Sequence, residues 1–353
     1  MEKTILFIIT KSETGGAQKF VSEQMNCLAR TNRWQFLLAT NSQGWLTKTV
    51  ENLVQDEGLF LDSRIENKFS ISYLLGLIQF ILKKKPDLVV SNSANGGFYG
   101  RIASFVTKTK IIYVSHGWSS IYNGGKLKFV FNYIEKLLSY LTTSILCISE
   151  KDKIKAIQIL KISPSKLKVI PNSILPITPY FHKPLADIVT VCRLASPKRI
   201  DILIEAMALI PQFKLHIIGD GPLRLTLEKI IKDKKLQNVE FCGYRPNFQE
   251  FYQYKIFCLI SDSEGMPMSA IEAMSCGLPL ILSNIGGCSE VIENNGLLVD
   301  NTAISISDSI KEVTENYENF SIQSKKVFSK KFNLNNTIQS YDDYYSLVID
   351  SKK

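Results

Sequence analysis

SDSEGMPMSAIEAMSCGLPLILSNIGG, residues 261–287, follows directly on the apolar run Ile256–Ile260 and decides the reading of the fold. Strand, loop, helix, strand is the order written in it. Pro267 suits a first helical turn, because its missing N–H is one a helix leaves unpaired anyway. Gly277 suits a left-handed C-terminal cap, and Pro279 stops the helix before the apolar run Leu280–Leu282. Two carboxylates separated by seven residues are placed by this order: Glu264 before the helix and Glu272 inside it.

On either side the same alternation continues. Ile188–Cys192, Lys214–Ile218, Val239–Phe241 and Leu297–Val299 read as short buried strands with helical patterns between them. Earlier in the chain, Thr4–Thr10, Phe36–Ala39, Leu88–Val90, Ile111–Val114 and Ile145–Ile148 do likewise. After the turn at Gly15 and Gly16, Val21, Met25, Leu28 and Ala29 share one helical face. Apolar strands alternating with helices predict βαβ units and parallel sheets covered on both faces. PNSILPITPYFHKP, residues 171–184, carries four prolines and separates the two series. The expected organisation is therefore α/β, with two tandem doubly wound domains, 1–175 and 186–330, a hinge at 176–185 and a cleft between the domains. A C-terminal helix at 331–353, bearing Tyr341, Tyr344, Tyr345 and Leu347, is expected to pack across them.

Composition excludes several classes. In 353 residues, 45% hydrophobic and 21% charged content is that of a globular protein rather than a disordered one or a solenoid. The longest apolar stretch, Tyr73–Leu82, falls short of the ~20 residues of a membrane span. The N-terminal MEKTILFIITK reads as a first strand rather than a cleaved leader. Seven scattered cysteines without a CxxC spacing indicate neither a disulfide frame nor a zinc site, and fit a reducing, cytoplasmic setting. Charge divides unevenly: residues 1–184 hold 24 Lys and Arg against 12 Asp and Glu, whereas residues 185–353 hold 18 against 21. A basic half suits an anionic partner, but no helix-turn-helix, RNP-like or zinc module points to nucleic acid.

Ligands of open parallel sheets bind beyond the carboxyl ends of strands. The pair Glu264 and Glu272 does not suit a glycosidase, whose carboxyl groups stand ~5–9.5 Å apart, since eight helical positions alone span ~12 Å. It suits two carboxylates gripping opposite ends of a long, hydroxyl-rich ligand, with helix N–H groups offered to an anion between them. Arg193 and Lys198, in VCRLASPKR after a strand, supply cations for a diphosphate. Gly15 and Gly16 permit close backbone approach to phosphate, or simply make a tight turn. His116, in SHGW at a strand end, reads either as a site residue or as a buried structural histidine. His182 and His216 fall in the hinge and within a strand. The run GDGPLR lacks the third glycine of a dinucleotide fingerprint, and Asp262-Ser263-Glu264 lacks companions that would make it a metal site.

In EGMPMSAIEAMSCGLPLILSNIGG, VCRL with Lys198, IIGDGP and TGGAQ, the chain resembles the GT-B glycosyltransferases, specifically the retaining family-4-like group with its EX7E motif. The match is dense over Ile188–Val299 and thinner in the first half. The resemblance implies a nucleotide-sugar donor, taken here as UDP-linked, bound chiefly by the second domain, and a glycan or lipid-linked acceptor entering through the first. Glu264 would contact the donor sugar and Glu272 the ribose. Arg193 and Lys198 would hold the diphosphate, with Gly15, Gly16 and the backbone of Gly265, Met266, Pro267, Met268 and Ser269. His116 would approach the sugar, and Tyr244 would line the base pocket. No metal or other cofactor is implied. Cys192 and Met266 depart from the pattern, where glycine and an aromatic residue are commoner.

The apolar stripe Leu127, Val130, Phe131, Ile134, Leu137, Leu138 and Leu141, flanked by Lys126, Lys128 and Lys136, fits a core face or peripheral contact with the inner face of an anionic membrane. Two rivals keep the fold and change the role: a nucleotide-sugar epimerase or hydrolase, and a non-catalytic scaffold.

Overall fold

The structure, a computed structural model, describes residues 2–67, 69–122, 125–178 and 185–351. Two compact units make up the chain, one of Met1–Asn172 with Thr337–Lys353, the other of Ser173–Asn336.

In the first unit seven parallel strands are laid down: β1 (Lys3–Ile8), β2 (Trp34–Thr40), β3 (Val54–Leu61), β4 (Leu88–Asn92), β5 (Lys110–Ser115), β6 (Ser144–Cys147) and β7 (Leu167–Val169). Their order across the sheet is β3-β2-β1-β4-β5-β6-β7. The central strands are apolar throughout because helices cover both faces, and Ile5, Leu6, Phe7 and Ile8 are completely buried. Strands β3 and β7 were not evident from the sequence. They close the two edges of the sheet, where a strand needs less apolar character, and VQDEGLFL and LKV are correspondingly mixed.

The second unit repeats the design with β8 (Ile188–Val191), β9 (Leu215–Ile218), β10 (Val239–Gly243), β11 (Ile256–Leu259), β12 (Leu280–Ser283) and β13 (Gly296–Val299), ordered β10-β9-β8-β11-β12-β13. Both sheets reverse their winding beside the first strand, between β1 and β4 and between β8 and β11. Such a switch point opens a crevice at the carboxyl ends of the two strands.

The C-terminal helix Leu334–Asp350 enters the first unit from Thr337 onward. There Trp34 Nε1 and Arg33 donate to the buried Asp342 carboxylate, each at 2.6 Å, and Tyr341 donates to Pro171 O at 2.9 Å. Tyr341 and Tyr345 are buried and Leu347 is exposed. Of the expected hinge, residues 179–184, including His182, lie outside the described residues. All seven cysteines are free thiols. Among the described residues no helix is long and apolar enough to cross a membrane.

The stripe on the helix Lys128–Tyr140 is not a core face. Leu138 is buried, but Leu127, Val130, Phe131 and Leu137 are exposed. On its other side Glu135 accepts from the buried Arg101 at 2.8 and 3.3 Å.

Candidate active site

Arg193 and Lys198 follow β8 while Glu264 follows β11, so the two loops flank the switch point of the second sheet. Backbone bonds sew them together: Arg199 N donates to Ile260 O and Asp262 N to Pro197 O, both at 2.9 Å. Ser261 Oγ adds a bond to Pro197 O at 3.2 Å. This stitching sets Lys198 Nζ in an ion pair with Glu264 Oε1, both side chains being largely buried. Burial opposes the lysine's charge, but the Glu264 carboxylate beside it outweighs burial and raises its pKa above the ordinary lysine range. Lys198 is thus a fixed cation at neutral pH. Burial also pushes the neighbouring Cys192 thiol up to about 11, against the pull of Lys198, so it stays protonated.

Two glycines make the close approach possible. Gly286 has φ +45°, and a Cβ there would lie 1.8 Å from Glu264 O; at Gly219, φ +145°, it would lie 1.9 Å from Cys192 O. Only glycine fits a left-handed backbone pressed on another carbonyl. GDGP therefore braces the β8 loop, with Leu194 N donating to Asp220 O and Leu223 N to Leu194 O, both at 2.9 Å. Behind Glu264, Ser283 Oγ accepts from Ser261 N at 2.9 Å, while Asn301 Nδ2 donates to Asp262 Oδ1 at 2.9 Å. Asp262 is also 3.5 Å from Arg199. It belongs to this bracing network.

The helix Met268–Ser275 begins immediately after Pro267, which stands one position ahead of the first turn expected for it and provides no side-chain cap. Ala270 N already donates to Pro267 O at 3.2 Å, so the Met268 and Ser269 N–H groups are the ones left at the positive end of the helix dipole. Glu272 is buried on this helix, Met266 is buried before it, and Gly265, Met268 and Ser269 are half-buried. Arg193 is exposed and, among the described residues, makes no ion pair. Tyr244 follows the edge strand β10, separated from β8 by β9, and is 57% exposed. The second unit thus pairs Lys198 with Glu264 where the β8 and β11 loops meet, just ahead of the helix Met268–Ser275, with the exposed Arg193 on the β8 loop.

In the first unit, His116 follows β5 and its Nε2 lies 2.9 Å from Oδ1 of the buried Asn92, at the end of β4. The edge of Phe20 packs against the imidazole. Burial lowers the pKa of His116 to about 4, leaving a neutral ring at neutral pH, with N–H donated to the Asn92 carbonyl. Gly15 and Gly16 begin the helix Gly16–Ala29 without a side-chain cap. Ser93, which the sequence did not single out, holds φ +65° and ties β1 to β4 by accepting from Thr10 N at 3.1 Å. No sequence signal marks such a serine, because the strain arises only when the two strands pair.

Strand pairing also gathers a group that local spacing concealed. His216, Glu240 and Cys242 bring their ligand atoms within 4.8 Å of one another on β9 and β10. Glu240 is paired with Lys214 at 3.1 Å and His216 Nδ1 lies 3.2 Å from Tyr254 Oη, so each already has a protein partner.

Two doubly wound parallel domains in tandem are the architecture of the GT-B glycosyltransferases. The chain belongs to the family-4-like group: residues 14–175 match the model of Glycosyltransferase Family 4, and residues 181–329 match Glycosyl transferases group 1. It is 38% identical to the O-antigen biosynthesis glycosyltransferase WbnH of Escherichia coli over 349 residues, 98% of this chain and 99% of that one. It is 29% identical to the UDP-Gal:alpha-D-GlcNAc-diphosphoundecaprenol alpha-1,3-galactosyltransferase of Escherichia coli, covering 78% and 79% of the two chains. Among solved structures, Anabaena HepE in complex with UDP and glucose superposes with a TM-score of 0.84 at 20% identity, covering 98% of this chain and all of that one.

Proposed function

We propose that this glycosyltransferase moves a sugar from a UDP-linked donor to a lipid-linked glycan during surface polysaccharide assembly, with retention of anomeric configuration. The O-antigen and diphosphoundecaprenol-linked relatives support the pathway, the donor and the acceptor class. The observation that carries the chemistry is the buried Lys198–Glu264 pair beside the uncapped helix Met268–Ser275.

The second unit binds the donor. Arg193 and Lys198 take the diphosphate, the helix N–H groups bind its remaining oxygens, Glu264 holds the sugar and Glu272 the ribose hydroxyls. Gly265, Met266 and Pro267 shape the loop between them. The acceptor belongs to the first unit, whose glycine turn and neutral His116 lie at the carboxyl edge of its sheet. A hydroxyl oxygen of the acceptor bonds to the anomeric carbon as the carbon–phosphate-oxygen bond breaks, and the proton passes to the departing diphosphate. Fixed cations stabilise that leaving charge, as preorganised groups do, so the reaction proceeds without a divalent metal. The work takes place at the inner face of the cell membrane.

The test is product analysis with purified protein, UDP-sugars and a diphospholipid acceptor in EDTA. The expected result is an acceptor-dependent product carrying the donor's anomeric configuration. Sugar release without acceptor, an inverted product or loss of activity in EDTA would each contradict the corresponding part of the reading.

A further inference from the structure

His216 and Glu240 are direct partners in the parallel pair β9–β10, which turns both side chains to one face of the second sheet. Cys242, two positions further along β10, returns to that face at the register shift between Phe241 and Gly243. The imidazole nitrogen, carboxylate oxygen and sulfur brought together there lie within 4.8 Å of one another. Ligands of a single zinc ion, bound at ~2.0–2.3 Å, stand ~3.3–3.7 Å apart. Small side-chain rotations therefore close the set.

The buried histidine points this group at a cation. Its side chain is 8% exposed, and among the described residues Nε2 has no hydrogen-bond partner, with Glu240 Oε2 3.4 Å away. A buried ring nitrogen is rarely left in that state. The other nitrogen, Nδ1, lies 3.2 Å from Tyr254 Oη. When Nδ1–H is donated to that hydroxyl, the Nε2 lone pair faces Glu240 and Cys242, as in a histidine oriented for a metal by an outer partner. Burial lowers the His216 pKa, opposed by Glu240 and aided by Lys214 and Arg245, so the ring is neutral as a ligand must be. Glu240 is ionised, its pKa lowered chiefly by its bond from Lys214. Burial raises the Cys242 thiol, but a coordinated thiol gives up its proton to solvent. Two anionic ligands then balance a divalent charge. Of the cations nearby, Arg245 is held by Glu250 at 2.9 Å, and Lys214, 46% exposed, is free to swing to water when an ion takes the carboxylate.

We propose that His216, Glu240 and Cys242 bind a zinc ion that clamps the edge strand β10 to β9. Thiolate and imidazole ligands select zinc over magnesium and calcium, which take shells of oxygen. Water fills the fourth position, on the side of the exposed Glu240. The ion bridges the two strands at the register shift, where the ladder of backbone bonds is irregular, and pins the strand that leads to Tyr244. β9 separates it from β8, and the donor crevice lies beyond, between β8 and β11. The ion is structural and takes no part in sugar transfer.

Titration of the chelator-treated, full-length protein tests it, with zinc against a chromophoric competitor and, separately, with cobalt(II). The expected results are stoichiometric zinc uptake, a thiolate-to-cobalt charge-transfer band and a higher melting temperature with zinc. Cys242→Ser should abolish the band, and Glu240→Gln should weaken zinc binding at least about tenfold, the loss that even an outer partner of a ligand brings. Both positions lie on an edge strand outside the buried core, so these variants fold where His216→Ala need not. Cys276→Ser, which removes another partly exposed thiol, should behave as the wild type. Overturning results are no stoichiometric zinc uptake by the wild type, wild-type affinity in both Cys242→Ser and Glu240→Gln, or a cobalt band that survives Cys242→Ser. Neither donor nor acceptor enters these titrations, so their outcome is independent of the glycosyl-transfer reading.

Discussion

Lys198 is held where burial opposes its charge, and the Glu264 carboxylate keeps that charge in place. Removing either partner leaves the other half of a desolvated pair. Glu264→Gln should therefore lower kcat on the order of a hundredfold, as loss of a preorganised electrostatic group does, and steady-state kinetics would read it. His116 predicts a stability effect of defined sign. The unfolded chain protonates this ring near pH ~6.5, whereas the folded one resists until about 4. Stability should fall as pH drops between those values and level off below. His116→Gln should flatten that part of a denaturation series, and the wild-type imidazole should show no NMR titration above about pH 5. These residues were legible as types in a pattern, since Arg193, Lys198, Glu264 and His116 all stand just after apolar runs. Their partners were not: Asn92 meets His116, and Ser283 braces Ser261, only because strands distant in sequence become neighbours.

Among the elements, the turn Asn284–Gly287 is as necessary to the site as the helix bearing Glu272. Gly286→Ala would place a methyl group on Glu264 O in a left-handed backbone, with no flexible side chain to yield. A loss of about 1–3 kcal/mol is expected from such overpacking, read as a lower denaturation midpoint together with weaker donor binding. Strands with one buried apolar run were readable from the sequence to within a residue or two. The first unit's edge strands β3 and β7 were not, because charged residues interrupt VQDEGLFL and LKV, unlike GLLV at the second unit's edge strand β13. The helix Lys128–Tyr140 shows the complementary limit: periodicity reveals a stripe but not what lies opposite it, and the buried Arg101–Glu135 anchor comes from another helix.

Across the whole molecule, two sheets with the same winding carry opposite electrostatic character, a basic first half and a mildly acidic second. The last helix ties the end of the chain to the first unit through Asp342, Tyr341 and Tyr344. Trp34→Phe would leave that buried carboxylate short of a donor and should cost about 1.5–3 kcal/mol, visible as a lower melting temperature with donor affinity unchanged. The same holds for the site: the first unit can be weakened without touching the second unit's ligands. The central claim, a UDP-sugar site built by the second unit, is tested most directly by calorimetry of UDP with the wild type, Arg193→Ala and Glu272→Ala. Saturable wild-type binding, weakened at least about tenfold in each variant by loss of a charged hydrogen bond, is the predicted result. Binding of equal strength in all three proteins, or none in the wild type, would contradict it.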